Sequence, residues 1–210
     1  GTLLFLILIP NVLLLTPNPW DMYKFFMFAW VLIAVLSSVV LAKAWVRKWR
    51  VAVLGLLLFS VLTTTSVVVY NVGTNYSGVS WNEYQLGLWV RDNTPSDSVF
   101  LTYYSIHAPS SMIGGQLRVS SYFNWAYGHG VPLVEVFQRG HDIDMAYNGT
   151  VAQLEAVVRE YKVSYVYVGG EELANYQGCV SRFNGVGWLT QVYINGDLRI
   201  YQVDWSSLDG

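Results

Sequence analysis

The chain has 210 residues, of which 53% are hydrophobic and only 12% are charged, and its formal net charge is −2. Soluble domains usually contain about 25% charged residues, so this deficit indicates that part of the chain lies in a membrane. A net acidic chain lacks the basic surface that nucleic acids require, which excludes a nucleic-acid-binding protein.

Charge divides the chain at about residue 70. Residues 1–70 contain five basic residues and one acidic residue, whereas residues 71–210 contain seven basic residues and 13 acidic ones. The first part is therefore predicted to be a transmembrane region and the second an acidic soluble domain. Because the chain starts at Gly1 rather than methionine, with an apolar run from its second residue, we expect it to be the C-terminal piece of a larger protein.

The transmembrane region is predicted to contain about three hydrophobic segments. Residues 25–42 and 51–70 are uncharged, and about 20 apolar helical residues are needed to cross a hydrocarbon core of about 30 Å. Residues 2–15 are shorter and contain Pro10 and Asn11, so they are predicted to be a truncated span or a broken helix. A signal peptide is rejected because no basic residue precedes the first run and two longer runs follow. A buried hairpin of a soluble protein is disfavoured because a basic loop separates the two long runs.

The predicted orientation rests on the loop at residues 43–50, which carries four lysine and arginine residues. Short loops rich in these residues remain cytoplasmic, so residues 43–50 are predicted to be cytoplasmic and residues 71–210 extracytoplasmic. The sequons Asn75-Tyr76-Ser77 and Asn148-Gly149-Thr150 are compatible with an exterior location.

After a linker at residues 71–80, residues 81–210 are predicted to form an extracytoplasmic α/β domain with a mixed sheet. Apolar residues at helical spacing predict one helix over residues 81–93 and another from a Thr150 cap through Tyr161.

Strands and turns complete the predicted domain. Glu171-Glu172 is predicted to open a further helix after a strand. Asn195-Gly196 is the best short hairpin signal in the chain. Strands are predicted at residues 98–102, 117–121, 163–168, 189–194 and 198–203.

Asp21 and Lys24 lie three residues apart at the predicted outer end of a membrane helix. Ionisable groups at a membrane boundary can line a substrate path, which makes Lys24 a candidate for contact with a lipid phosphate. The alternative is an interfacial anchor, in which Asp21 interacts favourably with the positive end of the helix dipole.

Residues 102–130 are predicted to form a glycine-rich loop with many aromatic side chains. Flat aromatic faces beside polar groups suit sugar rings, and histidines can act as bases or hydrogen-bond donors near neutral pH. The candidate substrate-binding residues of this loop are Tyr103, His107, Trp125 and His129. The alternative is that the loop packs onto the membrane surface or onto another part of the protein.

No metal site is predicted. The run His141-Asp142-Ile143-Asp144 lacks nearby residues to complete three or four ligands, so a solvated loop is predicted there. Cys179 is predicted to be an incidental buried thiol, because no base or positive neighbour favours its ionisation. The sequence contains no GxSxG, HExxH or CxxC motif, which leaves hydrolase, zinc-protease and redox functions without support.

Five segments of the chain carry a resemblance to a known family. They are PNPWDMYKF (17–25), WVRDNTPSDSVFLT (89–102), HAPSSMIGGQLRVSSYFNWAYGHG (107–130), VSYVYVGGEE (163–172) and DLRIYQV (197–203). In this order they resemble the C-terminal region of archaeal and bacterial GT-C-type membrane glycosyltransferases, including poorly characterised relatives.

The resemblance implies a transferase that moves a sugar from a polyprenyl-phosphate-linked donor to an acceptor on the outer membrane face. Its catalytic acidic residues would lie upstream, so no catalytic residue is assigned here and the piece alone is expected to be inactive. Asp21 and Lys24 match the family's W-D-N-x-K pattern, except that Met22 replaces its usual asparagine. Relatives often read Gly-Arg in the glycine loop, so Arg118, two residues after Gln116, is a further substrate-binding candidate.

The implied partners are the lipid bilayer, a lipid-linked sugar donor and an unidentified acceptor. The cofactor stays open, with a divalent metal bound by the upstream part as one option. The main alternative is a non-catalytic membrane-anchored module that binds carbohydrate or protein. A transporter is disfavoured, because residues 25–42 and 51–70 contain no ionisable residue and transporters place such residues within their spans.

Overall fold

The computed structural model describes residues 1–13, 22–74 and 78–208, and the chain forms two compact units, Gly1–Ser77 and Gly78–Gly210. Three predictions fall on residues outside the described ranges. The Asp21 site and the first sequon, at residues 75–77, lie wholly outside them, and the predicted span at residues 2–15 lies partly outside. The second sequon is described: Asn148 is exposed at the end of a helix, and Thr150 caps the next helix.

The first unit consists of three apolar helices, α1 (Thr2–Val12), α2 (Tyr23–Val46) and α3 (Arg50–Gly73). Helices α2 and α3 have 24 residues each, or about 36 Å of length at about 1.5 Å per residue. Both are long and apolar enough to cross a membrane. Ala29 is the only buried residue of α2 and Val53 the only one of α3. A core helix of a soluble protein would bury one face, so these helices are suited to membrane association.

The second unit is an α/β domain around a mixed five-stranded sheet in the order β2-β1-β3-β5-β4. Strand β1 pairs in parallel with β2 and β3, whereas β5 is antiparallel to both β3 and β4. The predicted mixed sheet is confirmed. The strands are β1 (Val99–Leu101), β2 (Leu117–Arg118), β3 (Tyr165–Val168), β4 (Leu189–Asn195) and β5 (Leu198–Val203). The helices are α4 (Trp81–Asn93), α5 (Pro109–Met112), α6 (Phe123–Gly128), α7 (Leu133–Asn148), α8 (Val151–Glu160), α9 (Gly170–Asn175), α10 (Cys179–Asn184) and α11 (Trp205–Leu208).

Reciprocal side-chain caps start two of the predicted helices. The Ser80 hydroxyl accepts a hydrogen bond from the Glu83 N–H at 3.2 Å, and the Glu83 carboxylate accepts one from the Ser80 N–H at 2.7 Å. Thr150 and Gln153 form the same arrangement at the start of α8. Each cap satisfies two N–H groups that a helix start leaves unpaired, which explains why these two helix starts were predictable.

Apolar side chains fill both faces of the sheet. On one face, α4 packs Leu86 and Val90 against Phe100 of β1 and Ile200 of β5. Leu101 belongs to the core on the opposite face, because successive strand residues point to opposite sides of a sheet. The domain therefore has three layers, with helices on both sides of the sheet. The second core also contains Ile143 of α7, Leu154 of α8, Phe183 of α10 and Val166 of β3.

Two predictions within the domain were wrong. The run His141–Asp144 is not a solvated loop but lies within α7, where Asp142 and Ile143 are buried. Residues 102–130, predicted to be a loop apart from the strand at residues 117–121, also contain the helices α5 and α6. The helical pattern of α7 was obscured because Val134 and Phe137 are apolar yet exposed, at 76% and 59%.

The hairpin turn lies one residue later than predicted. Asn195 still pairs with Leu198 in the β4–β5 ladder, so the two-residue loop is Gly196-Asp197 rather than Asn195-Gly196. Gly196 has a φ of 59°, and glycine at the first loop position is typical of a type II′ hairpin turn.

Replacing Tyr147 with phenylalanine is expected to lower the free energy of unfolding of the domain by about 1–3 kcal/mol. The buried Tyr147 hydroxyl lies 3.0 Å from the Leu101 carbonyl oxygen and 2.5 Å from the Tyr167 carbonyl oxygen, between β1 and β3. Without the hydroxyl, these buried carbonyls lose a donor. Chemical denaturation of the detergent-solubilised chain measures the loss. Tyr84→Phe on the exposed side of α4 is the control, expected to stay within about 0.5 kcal/mol, and an equal effect of the two substitutions would contradict the prediction.

Candidate ligand-binding site

The carboxyl ends of the three parallel strands meet at one edge of the sheet. Helix α5, which follows β1, packs against α4 on one face, whereas α7, which follows β2, contributes to the core on the other face. In open α/β sheets, ligands bind in the crevice where successive connections leave for opposite faces. A ligand site is therefore expected at this edge of the sheet.

A cavity of about 370 Å³ lies at this edge, within the range of about 300–1,000 Å³ that is usual for ligand sites. Its aromatic walls are Tyr104, Phe123 and Phe137. Its polar groups come from the residues after β2 and from α7. We call it the aromatic pocket, and its remaining lining residues are Ser120, Ser121, Val136, Gly140, His141 and Asp144.

Asp144 is the fixed carboxylate of the aromatic pocket. One of its oxygens accepts a hydrogen bond of 2.7 Å from the Tyr176 hydroxyl. The Tyr104 ring stacks on Tyr103, with centroids 4.3 Å apart. Burial and then the Asp144 charge raise the pKa of Tyr104 to about 12, so its phenol is neutral and can donate a hydrogen bond at physiological pH. The pocket thus offers a charged acceptor and a neutral donor beside flat rings.

Glu172 holds the loops that follow β1 and β3 together. Its side chain is almost fully buried, at 2% exposed. One carboxylate oxygen accepts a hydrogen bond from the Tyr103 N–H at 2.7 Å and the other accepts one from the Gly169 N–H at 2.9 Å. Burial raises the pKa of Glu172 to about 7, against the opposite effect of these two N–H groups. Glu172 therefore fixes the backbone from which Tyr104 enters the aromatic pocket.

Sequence reasoning placed Glu172 only as an acid at a helix start. Its hydrogen bond to the Gly169 N–H did have a sequence signal. Glu172 lies three residues after Gly169, where a glutamate side chain can accept from the N–H that precedes the helix. Its bond to Tyr103, 69 residues away, had no signal in the sequence.

A second cavity of about 200 Å³ adjoins the aromatic pocket and shares three lining residues with it. Arg118, at the end of β2, lines this cavity, and its Nη2 donates a hydrogen bond of 2.7 Å to the Ser105 carbonyl. We call it the Arg118 cavity. The shared residues are Ser120, Ser121 and Val136.

The other predicted site residues are dispersed. Tyr103 supports Tyr104 from outside the aromatic pocket. His107 lies beside Gly78, where an added Cβ would stand 3.4 Å from the imidazole. Trp125 is on α6 and His129 is the residue that follows this helix, with the His129 Nδ1 2.6 Å from the Trp125 carbonyl oxygen. Neither lines the aromatic pocket. Lys24 lies in the first turn of α2 in the other unit, and Asp21 is outside the described residues.

The described part of the chain includes potential metal ligands and the thiol of Cys179. Within residues 1–13, 22–74 and 78–208, no group of three His, Cys, Asp or Glu side chains could hold a metal ion. Asp142 instead accepts hydrogen bonds from Gln138 and from the Tyr161 hydroxyl, at 2.9 and 2.6 Å. Cys179 is buried, and this burial raises the pKa of its thiol, which disfavours the nucleophilic thiolate.

No protein-family model and no curated protein matches the chain. Among solved structures, the chain is similar to the C-terminal globular domain of oligosaccharyltransferase from Archaeoglobus fulgidus. The TM-score is 0.39 and the sequence identity 13%, over 60% of this chain and 98% of that one. This likeness assigns no activity to the chain.

Proposed function

We propose that the chain is part of a polytopic membrane glycosyltransferase that transfers a sugar from a polyprenyl-phosphate-linked donor to an acceptor on the outer membrane face. The observation that carries the proposal is the aromatic pocket, which lies in a chain that also has two exposed apolar helices. The five segments that resemble GT-C-type enzymes supply the reaction type. The catalytic acidic residues belong to parts of the enzyme other than these 210 residues.

The lining of the aromatic pocket suits a sugar ring. The apolar C–H face of a sugar packs against aromatic rings, and Tyr104, Phe123 and Phe137 supply three. The hydroxyls of a sugar need fixed donors and acceptors, which Asp144 and the neutral Tyr104 phenol supply. Since the ligand's polar groups would be paired once bound, desolvating them carries little penalty. In this proposal the pocket binds the acceptor, or a sugar of it.

Helices α2 and α3 would hold the enzyme in the membrane, with residues 43–50 in the cytoplasm and residues 71–210 outside. This orientation places Lys24, in the first turn of α2, at the outer boundary. A lysine there is suited to contact the phosphate of a lipid-linked donor. A carboxylate elsewhere in the enzyme would take the proton of the acceptor hydroxyl as its oxygen attacks the sugar's anomeric carbon. The bond from that carbon to the lipid phosphate breaks, and Lys24 stabilises the leaving group.

A second candidate function is a non-catalytic membrane-anchored module that binds carbohydrate. The observation in its favour is that the aromatic pocket is lined entirely by residues 104–144. Binding would then need no other part of a protein. The two functions differ in whether transfer occurs.

Phe137→Ala and Asp144→Asn are each expected to reduce sugar transfer about five- to 150-fold, because losing a stacking ring or a charged acceptor removes about 1–3 kcal/mol of binding. The measurement is transfer from a radiolabelled polyprenyl-phosphate sugar in membranes that contain the intact gene product. Val134→Ala and Asp197→Asn are matched controls outside the aromatic pocket and should leave transfer unchanged. Lys24→Ala should also reduce transfer, through the donor.

Unchanged transfer in both pocket variants, at normal protein levels, would refute a role of the aromatic pocket in the reaction. If no donor supports transfer, while the chain binds sugars and loses this binding in the two variants, the carbohydrate-binding module is the correct function.

A further inference from the structure

The pairing of Arg118 differs from that of Arg139 and Arg182, two other half-buried arginines of the domain. Arg139 forms an ion pair of 2.6 Å with Glu135 and also donates to the Val119 carbonyl. Arg182 donates to carbonyls at the end of α7, where the helix dipole is negative. Arg139 therefore has a charged partner, and Arg182 has two carbonyls at a negative helix end, although its Nε is also buried without a hydrogen-bond partner.

Arg118 lacks such a partner among the described residues. Its Nη2 donates to a single neutral carbonyl, that of Ser105, and its Nη1 is buried without a hydrogen-bond partner. Burial lowers the pKa of Arg118, and the charge of Glu172 opposes this effect without a hydrogen bond between the two side chains. Buried charges in proteins are almost always paired, and a buried N–H without a hydrogen-bond partner is destabilising. An oxyanion is the kind of acceptor that would complete the pairing of this guanidinium.

The Arg118 cavity lies beside the Arg118 side chain. It is lined by Arg118, Glu135 and Arg139. Because Glu135 and Arg139 are paired with each other, Arg118 is the cation left without a bonded counter-charge there. The cavity opens beside Ser120 and Ser121, which also line the aromatic pocket. The Ser120 hydroxyl donates to the Ser121 carbonyl, so the Ser121 hydroxyl is the additional donor. An anionic group in one cavity could thus belong to the same ligand as a sugar ring in the other.

We propose that the Arg118 cavity is a subsite for an anionic substituent, a phosphate or a carboxylate, on the sugar that occupies the aromatic pocket. The guanidinium forms charge-assisted hydrogen bonds to the oxyanion, a geometry for which arginine is suited. The proposal deepens the proposed function, because it narrows the ligand class to acidic or phosphorylated sugars. The oxyanion contact itself does not depend on which sugar, if any, fills the neighbouring pocket.

The test uses inorganic phosphate as the first probe, titrated into the detergent-solubilised full chain at low salt and followed by phosphorus NMR and by the melting temperature. We expect wild type to bind phosphate and Arg118→Gln to bind it at least tenfold more weakly. Arg118→Lys keeps the charge and one donor, and should retain binding within about tenfold while showing that the site folds. Arg199→Gln removes a charge from β5, outside the cavity, and should leave binding unchanged.

Two results would overturn the subsite: no phosphate binding by wild type, or equal binding by wild type, Arg118→Lys and Arg118→Gln. Glucose 1-phosphate and glucuronate then distinguish the two oxyanions, since the better ligand identifies phosphate or carboxylate as the group recognised. If either binds more tightly than phosphate and loses that gain in Phe137→Ala, the subsite and the sugar pocket act on one ligand. If phosphate binding depends on Arg118 but the sugars add nothing, the subsite stands and the sugar-binding function fails.

Discussion

Replacing Glu172 with alanine should lower the free energy of unfolding of the α/β domain by about 2–6 kcal/mol, the cost of leaving two buried N–H groups unpaired. Those groups belong to Tyr103 and Gly169, which bond to the two oxygens of the same carboxylate. Because they lie on the loops after β1 and β3, their loss should also loosen the backbone that carries Tyr104. Sugar binding should therefore weaken along with stability.

The same carboxyl group should make the stability depend on pH. Its pKa is raised from 4.5 to about 7 by burial, so the folded domain binds a proton that the unfolded chain has already released. The stability contributed by the neutral form is therefore fully present below pH 4.5 and is lost as the pH rises through about 7, with a slope of at most about 1.4 kcal/mol per pH unit. Glu172→Gln should flatten the stability profile in this window.

Chemical denaturation between pH 4.5 and 8 measures both effects. Glu171→Gln is the matched control, since Glu171 is the exposed neighbour on the same helix, and it should leave the slope unchanged. A Glu172→Gln variant with the wild-type slope would show that another group titrates. A fully stable Glu172→Ala variant would show that water can replace the carboxylate.

Elements that start or end on local signals were predictable from the sequence. Helix α4 has the predicted bounds because Ser80 and Glu83 cap its start and the Asn93-Thr94-Pro95 run ends it. Strand β5 also has its predicted bounds, and β3 lies within its predicted segment. In each case the information lies within a few residues of the element.

Elements with apolar residues on their exposed side were missed. In α7, buried Val136 and Ile143 mark the inner face, but Val134 before them and Phe137 between them are apolar and exposed, which breaks the expected period. Of these two residues, Phe137 lines the aromatic pocket and Val134 does not. The apolar residues on the exposed side of α7 thus concealed its helical pattern.

The candidate site was predictable only in part, because distant segments assemble it. The aromatic content of residues 102–130 drew attention to a region that contains Tyr104 and Phe123, which line the aromatic pocket. Asp144 was set aside as part of a solvated loop. Its partner Tyr176 is 32 residues away along the chain, and pairings of that range follow from the strand order, which local sequence patterns do not determine.

Gly114→Ala should cost about 1–3 kcal/mol of stability, or more, because it overpacks the contact between α4 and the turn after α5. A Cβ at Gly114 would stand 2.4 Å from the Ser110 carbonyl oxygen and 2.6 Å from the Val90 side chain. The carbonyl belongs to the backbone, so it cannot rotate away as a flexible side chain would. Helix α5 and the turn would have to move away from α4. Denaturation of the detergent-solubilised variant measures the loss.

The neighbouring Gly115 is required for its backbone conformation rather than for lack of space. A second set of variants distinguishes these two reasons. A Cβ there would meet nothing within 4 Å, but Gly115 has a φ of 74°, a conformation that costs other residues about 1–2 kcal/mol. Gly115→Asn should therefore be milder than Gly115→Ala, because asparagine tolerates this conformation, whereas Gly114→Asn should be worse than Gly114→Ala. Gly170→Ala, at an open position with ordinary φ, should be neutral. A neutral Gly114→Ala variant would contradict the prediction, because it would show that α4 and the turn after α5 are farther apart in solution. The position of Arg118 would then not depend on this close approach.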